Sequence, residues 1–348
     1  MMKFDLKATW QHADGTQIAL TTTDFDLIQS VLDAGSMKGA AQRMGVSYRT
    51  LWSQVQALNL KCGRELISTG QRSGAYLTQG GQDLRWMMEL AKARLSTDLL
   101  RLNDQLNSEW KDIPSELPWL NMALSDDPLL QELFNTHKLQ NQLNLSMSWQ
   151  GSIAALSSFH RQESRVAGCH LPVGEGRNSE VHQMMRRWLR GDNLLVIELF
   201  DRELGWISRP ECPATLNDVR QKKAKLINRN AASSTHHQLN ALITRACLNP
   251  QDLYGYEDQE VSHLAVACRI AAGLADLGLG ISQAATRYGL DFRPVSKDRY
   301  FLVYRQSDEQ LPAIQILLNY IASAPFEAGL GSVSGYQLGR RRSQALEE

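Results

Sequence analysis

The chain has 348 residues, 43% of them hydrophobic and 21% charged, the makeup of an ordinary globular protein with room for two or three domains. Lysine plus arginine equals aspartate plus glutamate at 37 each, so a nucleic-acid partner would have to be met by a local surplus of charge, not by the net charge. No apolar run reaches the ~18 residues of a membrane span, the start MMKFDLKATWQHADG carries no apolar signal core, and Cys62, Cys169, Cys212, Cys247 and Cys268 suit neither a disulfide framework nor a zinc site. These features predict a cytoplasmic protein in a reducing compartment. No residue set asks for a metal or a cofactor.

In chain order, KFDLKATWQHADGTQIAL predicts a hairpin, with Asp14-Gly15 as its turn. From Asp24 the period becomes helical, with Phe25, Leu27, Ile28, Val31 and Leu32 on one face. Gly35 is placed to end that helix and Ser36 to cap the next, in which Ala40, Ala41 and Met44 face inward. Gly45 supplies a sharp turn, Val46 anchors it, and Ser47 caps a third helix whose buried stripe is Leu51, Val55 and Leu58. That leaves Ser47, Tyr48, Arg49, Thr50, Ser53 and Gln54 outward near the start of this helix, the layout of a helix-turn-helix entering a major groove by its first turns.

The following ELISTGQRSGAYLT predicts a two-stranded wing with Arg72 at its tip, placed for a minor groove or a phosphate. Nine basic and three acidic residues lie between Ser36 and Arg94, a local surplus of six positive charges in a neutral chain. Lys38 and Arg43 are expected nearer the phosphates. A packed helix pair alone would explain the spacing equally well. The wing and the surplus favour a DNA reader. Trp52 is expected to pack beside Val55 against the wing, in support of the reading residues.

Gln79 to Trp110 predicts one long helix, closed by KDIPSELP with its two prolines. Beyond Pro118, strands LNMALS, LNLSMSW, SRVAGCHL, NLLVIEL, AKLINRN and DFRPV…YFLVYR alternate with helices such as Ser179–Leu189, Thr235–Cys247 and Val261–Ala275, which predicts an α/β fold with a largely parallel sheet. GLADLGLG reads as helix, turn and a strand Leu277–Ile281, the wrong order for a dinucleotide loop. The tail GRRRSQALEE reads as a loose, solvated end. Polar turns fall at strand ends in SDDP, WQGS, GCHLP, NRNAASSTHH and GYEDQEVSH, where open α/β sheets bind ligands and capped helix N-termini offer N–H groups to anions. They nominate Ser125, Asp126, Gln150, Ser152, His170, Arg229, Ser233, Ser234, Thr235, Glu257 and His263.

Residues 24 to 107 resemble the winged helix-turn-helix and linker helix of LysR-type regulators, and GVSYRTLWSQVQALN is similar to the molybdate-responsive ModE type, with Trp52 at the recurring tryptophan. Residues 118 to 338 resemble the two-lobed, type II periplasmic-binding-protein-like domain fused to such DNA-binding heads, on AGCHLP, INRN…SST, GYEDQEVSHLAVACRIAAGLADLGLGI, GLDFRPV and GYQLG. The resemblance implies a homo-oligomer paired through the 79–110 helix, operator DNA as one partner, and as the other a small effector, an oxyanion such as molybdate or tungstate or a molybdenum-cofactor-related metabolite. The pattern departs at NRNAASSTH, where Ala232, Ser234 and His236 replace two glycines and an arginine, and at HLPV, which lacks a carboxylate. A different, less charged or lost ligand is therefore open.

The expected organisation is a DNA-binding domain over 1–78, a linker helix and hinge over 79–117, an effector domain over 118–340 and a tail over 341–348. Two rivals compete with the regulator. An enzyme needs a nucleophile and base in reach, yet Cys169 and His170 are strand neighbours facing opposite ways. An exported binding protein would not carry a basic DNA-reading head.

Overall fold

The computed structural model describes residues 8–11, 17–70, 74–109, 116–173, 193–231, 233–340 and 343–345. Arg72 and the expected helix Ser179–Leu189 lie outside the described residues. The chain divides into two compact units, one ending at Ala93 and the other beginning at Arg94.

In the smaller unit, β1 (Ala8–Gln11) and β2 (Gln17–Leu20) pair antiparallel. Helix α1 (Thr22–Ala34) opens on a reciprocal Thr21–Asp24 capping box and ends at Gly35, whose φ of 60° is the left-handed conformation that glycine adopts without penalty. Ser36 caps α2 (Met37–Met44), Gly45 ends it at φ 67°, and Ser47 caps α3 (Tyr48–Lys61). Leu20, Ile28, Val31, Ala40, Leu51, Val55 and Leu58 form the core of the three helices. The wing follows as β3 (Ile67–Gly70) and β4 (Gly74–Leu77), antiparallel. Asn59 of α3 holds its base: the side-chain oxygen accepts from the Leu66 and Ile67 amides at 2.8 and 3.2 Å, and the amide nitrogen donates to the Ile67 carbonyl. Helix α4 (Gln79–Glu109) runs 31 residues without a break and belongs to both units.

The larger unit begins with β5 (Trp119–Ser125), α5 (Pro128–Phe134), α6 (His137–Gln140), β6 (Asn144–Gln150), α7 (Ser152–His160) and β7 (Val166–Pro172). A long β8 (Leu194–Ser208) leads to α8 (Leu216–Arg220), β9 (Leu226–Arg229), α9 (Ser234–Arg245), β10 (Gln259–Glu260), α10 (His263–Ala271), β11 (Leu277–Ile281) and α11 (Ser282–Arg287). The equally long β12 (Asp291–Arg305) returns to α12 (Pro312–Ile321), α13 (Ala324–Gly331), β13 (Tyr336–Leu338) and β14 (Ser343–Ala345).

Parallel trios β6-β5-β7 and β10-β9-β11 flank the two 15-residue strands β8 and β12, which are antiparallel to each other and to their neighbours. The expectation of a largely parallel sheet is corrected at this centre. Both strands cross from one lobe to the other, one outward and one back, so they must run in opposite directions. The second half of β8 was not apparent because Asp201, Arg202 and Glu203 interrupt its apolar run. One lobe packs around Leu124, Phe134, Trp149, Ile197 and Leu302, the other around Leu204, Leu226, Ile243, Val266 and Leu279. Between them lies a waist where Arg202 of β8 stands opposite Asp298 of β12, and β12 shifts register on both sides of it, at Pro294/Ser296 and Tyr300/Phe301. The tail is not loose throughout: β14 pairs with Leu195–Ile197 of β8, using an edge that β11 and β13 leave open.

Candidate functional site

On the smaller unit, α3 presents Tyr48, Arg49, Thr50 and Ser53 to solvent, while Gln54 is turned partly inward. The Ser47 hydroxyl is committed to the helix cap, accepting from the Thr50 amide at 3.1 Å and lying 2.8 Å from the Thr50 hydroxyl. Lys38 is exposed, and Arg43 is exposed but pairs with Asp33 at 2.9 Å. Trp52 departs from its expected packing role. It is 46% exposed while Val55 is fully buried, and Tyr48, one turn earlier, is 56% exposed. The outer face of α3 is therefore aromatic as well as basic.

In the larger unit, the nominated residues gather at the waist. His170, near the end of β7, is the connecting group. Its Nδ1 lies 2.9 Å from Ser125 Oγ and 3.3 Å from Ser152 Oγ on one lobe, and its Nε2 lies 2.8 Å from Ser234 Oγ on the other. Ser152, Ser234 and His263 open helices α7, α9 and α10 at the lobes' facing ends, so three helix N-termini meet there. Ser233 caps α9 by accepting from the His236 amide at 3.2 Å, and Thr235 is buried in its first turn. Gln150, half-buried, ends β6, and its carbonyl accepts from the Asp126 amide at 3.2 Å. Arg229 is buried at the end of β9 and donates to the Val261 carbonyl at 3.0 Å.

Glu257 is not brought to this cluster. It is exposed in the loop with Lys225 and Tyr254, at the start of β9, and Glu260 instead stands level with Arg229 in the β10–β9 register.

Sequence reasoning missed the charges beneath the cluster. Arg202 is fully buried, donates from Nη1 to Asp127 Oδ2 at 2.8 Å, and its Nη2 lies 3.7 Å from Asp298 Oδ2. The Tyr336 hydroxyl donates to Asp127 at 3.0 Å, the Gln238 amide to Asp298 Oδ1 at 2.9 Å, and the Tyr300 hydroxyl to the Ser125 carbonyl at 2.7 Å. The available signal was three consecutive charges inside the apolar stretch NLLVIELFDRELGWIS.

Burial sets the ionisation here. It lowers His170 well below 6.5, with Arg202 and Arg229 adding to the effect, and it lowers His263 likewise beside the same two cations, so both rings are neutral at pH 7. Burial also pulls Arg229 down to about 10, Asp126 pulling the other way, which leaves it a cation at neutral pH. Asp298 is raised by burial against the pull of Arg202 and Gln238, and Asp126 is raised by burial against that of Arg229. Arg202 is held above its usual range because Asp127 and Asp298 outweigh its burial.

Cys169 and His170 are not arranged as a nucleophile and its base. The Cys169 thiol is pushed up to about 12 by burial and sits in an apolar cluster with Leu156, Phe159 and Val303. Each ring nitrogen of His170 faces a serine, and Asp298 Oδ2 is 3.9 Å from Nε2, too far to orient the ring as a third member. The arrangement is that of a two-lobed binding domain carrying a helix-turn-helix.

Comparison with known proteins gives this class a family. Residues 134–322 match the model of the PBP superfamily domain, and residues 22–82 match that of the bacterial regulatory helix-turn-helix protein, lysR family. YvgK, an uncharacterized protein of Bacillus subtilis (strain 168), is 25% identical over 224 residues, 62% of this chain and 71% of that protein. An uncharacterized protein in the ferredoxin 2Fe-2S gene 5'region of Clostridium pasteurianum is 36% identical over 92 residues, 26% of this chain and 81% of that protein. Full-length LysG of Corynebacterium glutamicum, solved with bound effector Arg, aligns at a TM-score of 0.40 and 16% identity over 88% of this chain and 99% of that one. The chain belongs to the PBP superfamily, and its residues 22–82 are similar to the helix-turn-helix segment of the bacterial regulatory lysR family. Among the described residues no helix is long and apolar enough to cross a membrane, and no group of metal-ligating side chains is assembled.

Proposed function

We propose that the protein acts in the cytoplasm as a homo-oligomer that binds operator DNA through α3 and the wing and responds to a small effector held at the waist of its larger unit. Ser47, Tyr48, Arg49, Thr50, Ser53 and Gln54 are assigned to the major groove, Arg72 to the wing tip, and Lys38 and Arg43 to phosphates. The effector closes the two lobes and so changes the relation between the DNA-reading heads of paired subunits, provided that it binds one arrangement better than the other. Met87, Leu95 and Leu102, exposed along α4, support pairing through that helix. The observation that carries the sensor reading is the meeting of three helix N-termini with His170 and Arg229 between two lobes. The ModE-type resemblance makes molybdate, tungstate and molybdenum-cofactor-related metabolites the first effectors to try.

Two measurements test the proposal. DNA selected from a random pool by the purified protein is titrated at rising salt against wild type and Arg49→Ala; the variant should show a salt slope smaller by about one. Equal affinity and slope would remove Arg49 from the interface. A thermal-shift panel of oxyanions and small metabolites should then give a selective rise in melting temperature, and the hit should alter DNA affinity. A panel with no hit across these classes counts against a working sensor and for one that has lost its ligand.

A further inference from the structure

The groups at the waist are mixed in a way that bears on the effector. Among the buried side-chain atoms described, six there lack a hydrogen-bond partner: the donors Arg229 Nε, Asn228 Nδ2, Arg202 Nε and Arg202 Nη2, His263 Nδ1, which can take either role, and the acceptor Asp298 Oδ2. Asp298 Oδ2 has the donor Arg202 Nη2 at 3.7 Å and the ring nitrogen His170 Nε2 at 3.9 Å, both beyond hydrogen-bond length. The ionisable groups are mixed too. Arg202 and Arg229 stand against the carboxylates of Asp126, Asp127 and Asp298, while His170 and His263 are neutral. Asp126 is only partly occupied: its Oδ1 accepts from Gln131 at 2.8 Å, on the lobe that also carries Ser125.

Every outer atom of a fully ionised tetrahedral oxyanion is an acceptor. Placed here, it would satisfy the Arg229 and Asn228 donors but oppose Asp298 and Asp126, leaving a buried acceptor unpaired and like charges adjacent. Resting on the reading that this waist is the effector site, we infer that the effector is an organic metabolite bearing O–H or N–H donors beside its acceptors, with at most one net negative charge, and that bare dianions such as molybdate, tungstate and sulfate are rejected. A donor on the effector answers Asp298 Oδ2, while its carbonyl or carboxylate oxygen accepts from Arg229 and Asn228. A site that hydrogen-bonds a ligand donor rejects an analogue lacking it by on the order of 10⁴-fold. Asp298 and Asp126 are thus selectivity residues, filtering by charge and by donor content.

The test titrates the full chain with molybdate, tungstate and sulfate by calorimetry and thermal shift, on wild type, Asp298→Asn, Asp126→Asn, and Arg229→Gln added to each. Wild type should give no saturable binding. Asn at either position offers a donor in place of a charge, so at least one variant should bind molybdate about tenfold or more tighter than wild type, and Arg229→Gln should remove that gain. Should Asp298→Asn fail to fold, the half-buried Asp126→Asn carries the same expectation. Saturable molybdate binding to wild type that Arg229→Gln abolishes would overturn the inferred class while leaving the site in place. Carboxylate variants as unresponsive as wild type would also overturn it, because the carboxylates would not be the filter. The underlying reading fails separately: an effector from the metabolite panel that binds Arg229→Gln and Ser234→Ala as tightly as wild type binds elsewhere.

Discussion

Replacing Arg202 by methionine isolates the charge beneath the serine–histidine cluster at the waist. The guanidinium is completely buried, 2.8 Å from Asp127 Oδ2 and 3.7 Å from Asp298 Oδ2, and both carboxylates are at most 1% exposed. Methionine fills much of the same volume, so the loss is mainly that of a cation from between two buried anions. Breaking a buried pair costs about 3–5 kcal/mol, and the donors that remain, Tyr336 to Asp127 and Gln238 to Asp298, keep either carboxylate from being wholly unpaired. In a unit of this size that corresponds to a melting temperature lower by roughly 10 °C. The deficit must also depend on pH. The folded pKa of Asp298 already lies above 3.8 through burial, so its proton is favoured in the fold, and stability falls as pH rises from 3.8 through the folded value. Without Arg202 the folded value climbs further. Arg202→Met should therefore be closest to wild type in mild acid and furthest from it at neutral pH, read by urea unfolding at a series of pH values. A loss below about 1 kcal/mol at neutral pH, or a loss independent of pH, would refute the role given to this ion group.

Three further outcomes are expected. Trp52→Ala should change stability by no more than about 0.5 kcal/mol, as for an outward side chain, but weaken binding to selected DNA more than to random DNA; Leu51→Ala, fully buried one residue away, should cost about 2–5 kcal/mol. His170 and His263 are neutral in the fold with pKa values well below 6.5, so the stability tied to them is complete above pH 6.5 and declines as pH falls below it. His170→Asn should flatten that decline by up to about 1.4 kcal/mol per pH unit, and an unchanged acid limb in the melting curves would contradict it. Of the five thiols, the exposed Cys212 and Cys247 should react with an alkylating reagent in the native protein, while Cys62, Cys169 and Cys268 react only on unfolding, as peptide mass mapping would show.

What could be read in advance follows the range of the interactions. The helix-turn-helix is written in residues that act on their immediate neighbours: Ser36 and Ser47 cap helices one turn away, and Gly35 and Gly45 take positive φ where the chain turns. The polar strand ends were equally legible, because Ser125, Ser152, His170 and Ser234 each sit at a local change of pattern. The ion group was not, since Arg202 and Asp127 are 75 residues apart and neither position announces its partner. Trp52 was misplaced for a related reason. Spacing puts it at the margin of the Leu51–Val55–Leu58 stripe, where helical periodicity alone does not decide between burial and solvent, and the side chain is 46% exposed. The antiparallel centre of the sheet escaped because an interrupted apolar run conceals that β8 is a single strand.

Helix α9 is tied at three points within its first five residues. Ser234 reaches His170 across the cleft, Gln238 one turn later holds Asp298, and between them, on the other flank, His236 Nδ1 lies 3.0 Å from the Arg229 carbonyl. A helix fastened on opposite flanks cannot roll about its axis without tearing one fastening. Ser234 and Gln238, one turn apart, lie on the same flank and move together. A molecule that displaced the Ser234 hydroxyl from His170 would therefore act on the same helix that holds Asp298 of β12, coupling one side of the waist to the strand that joins the lobes.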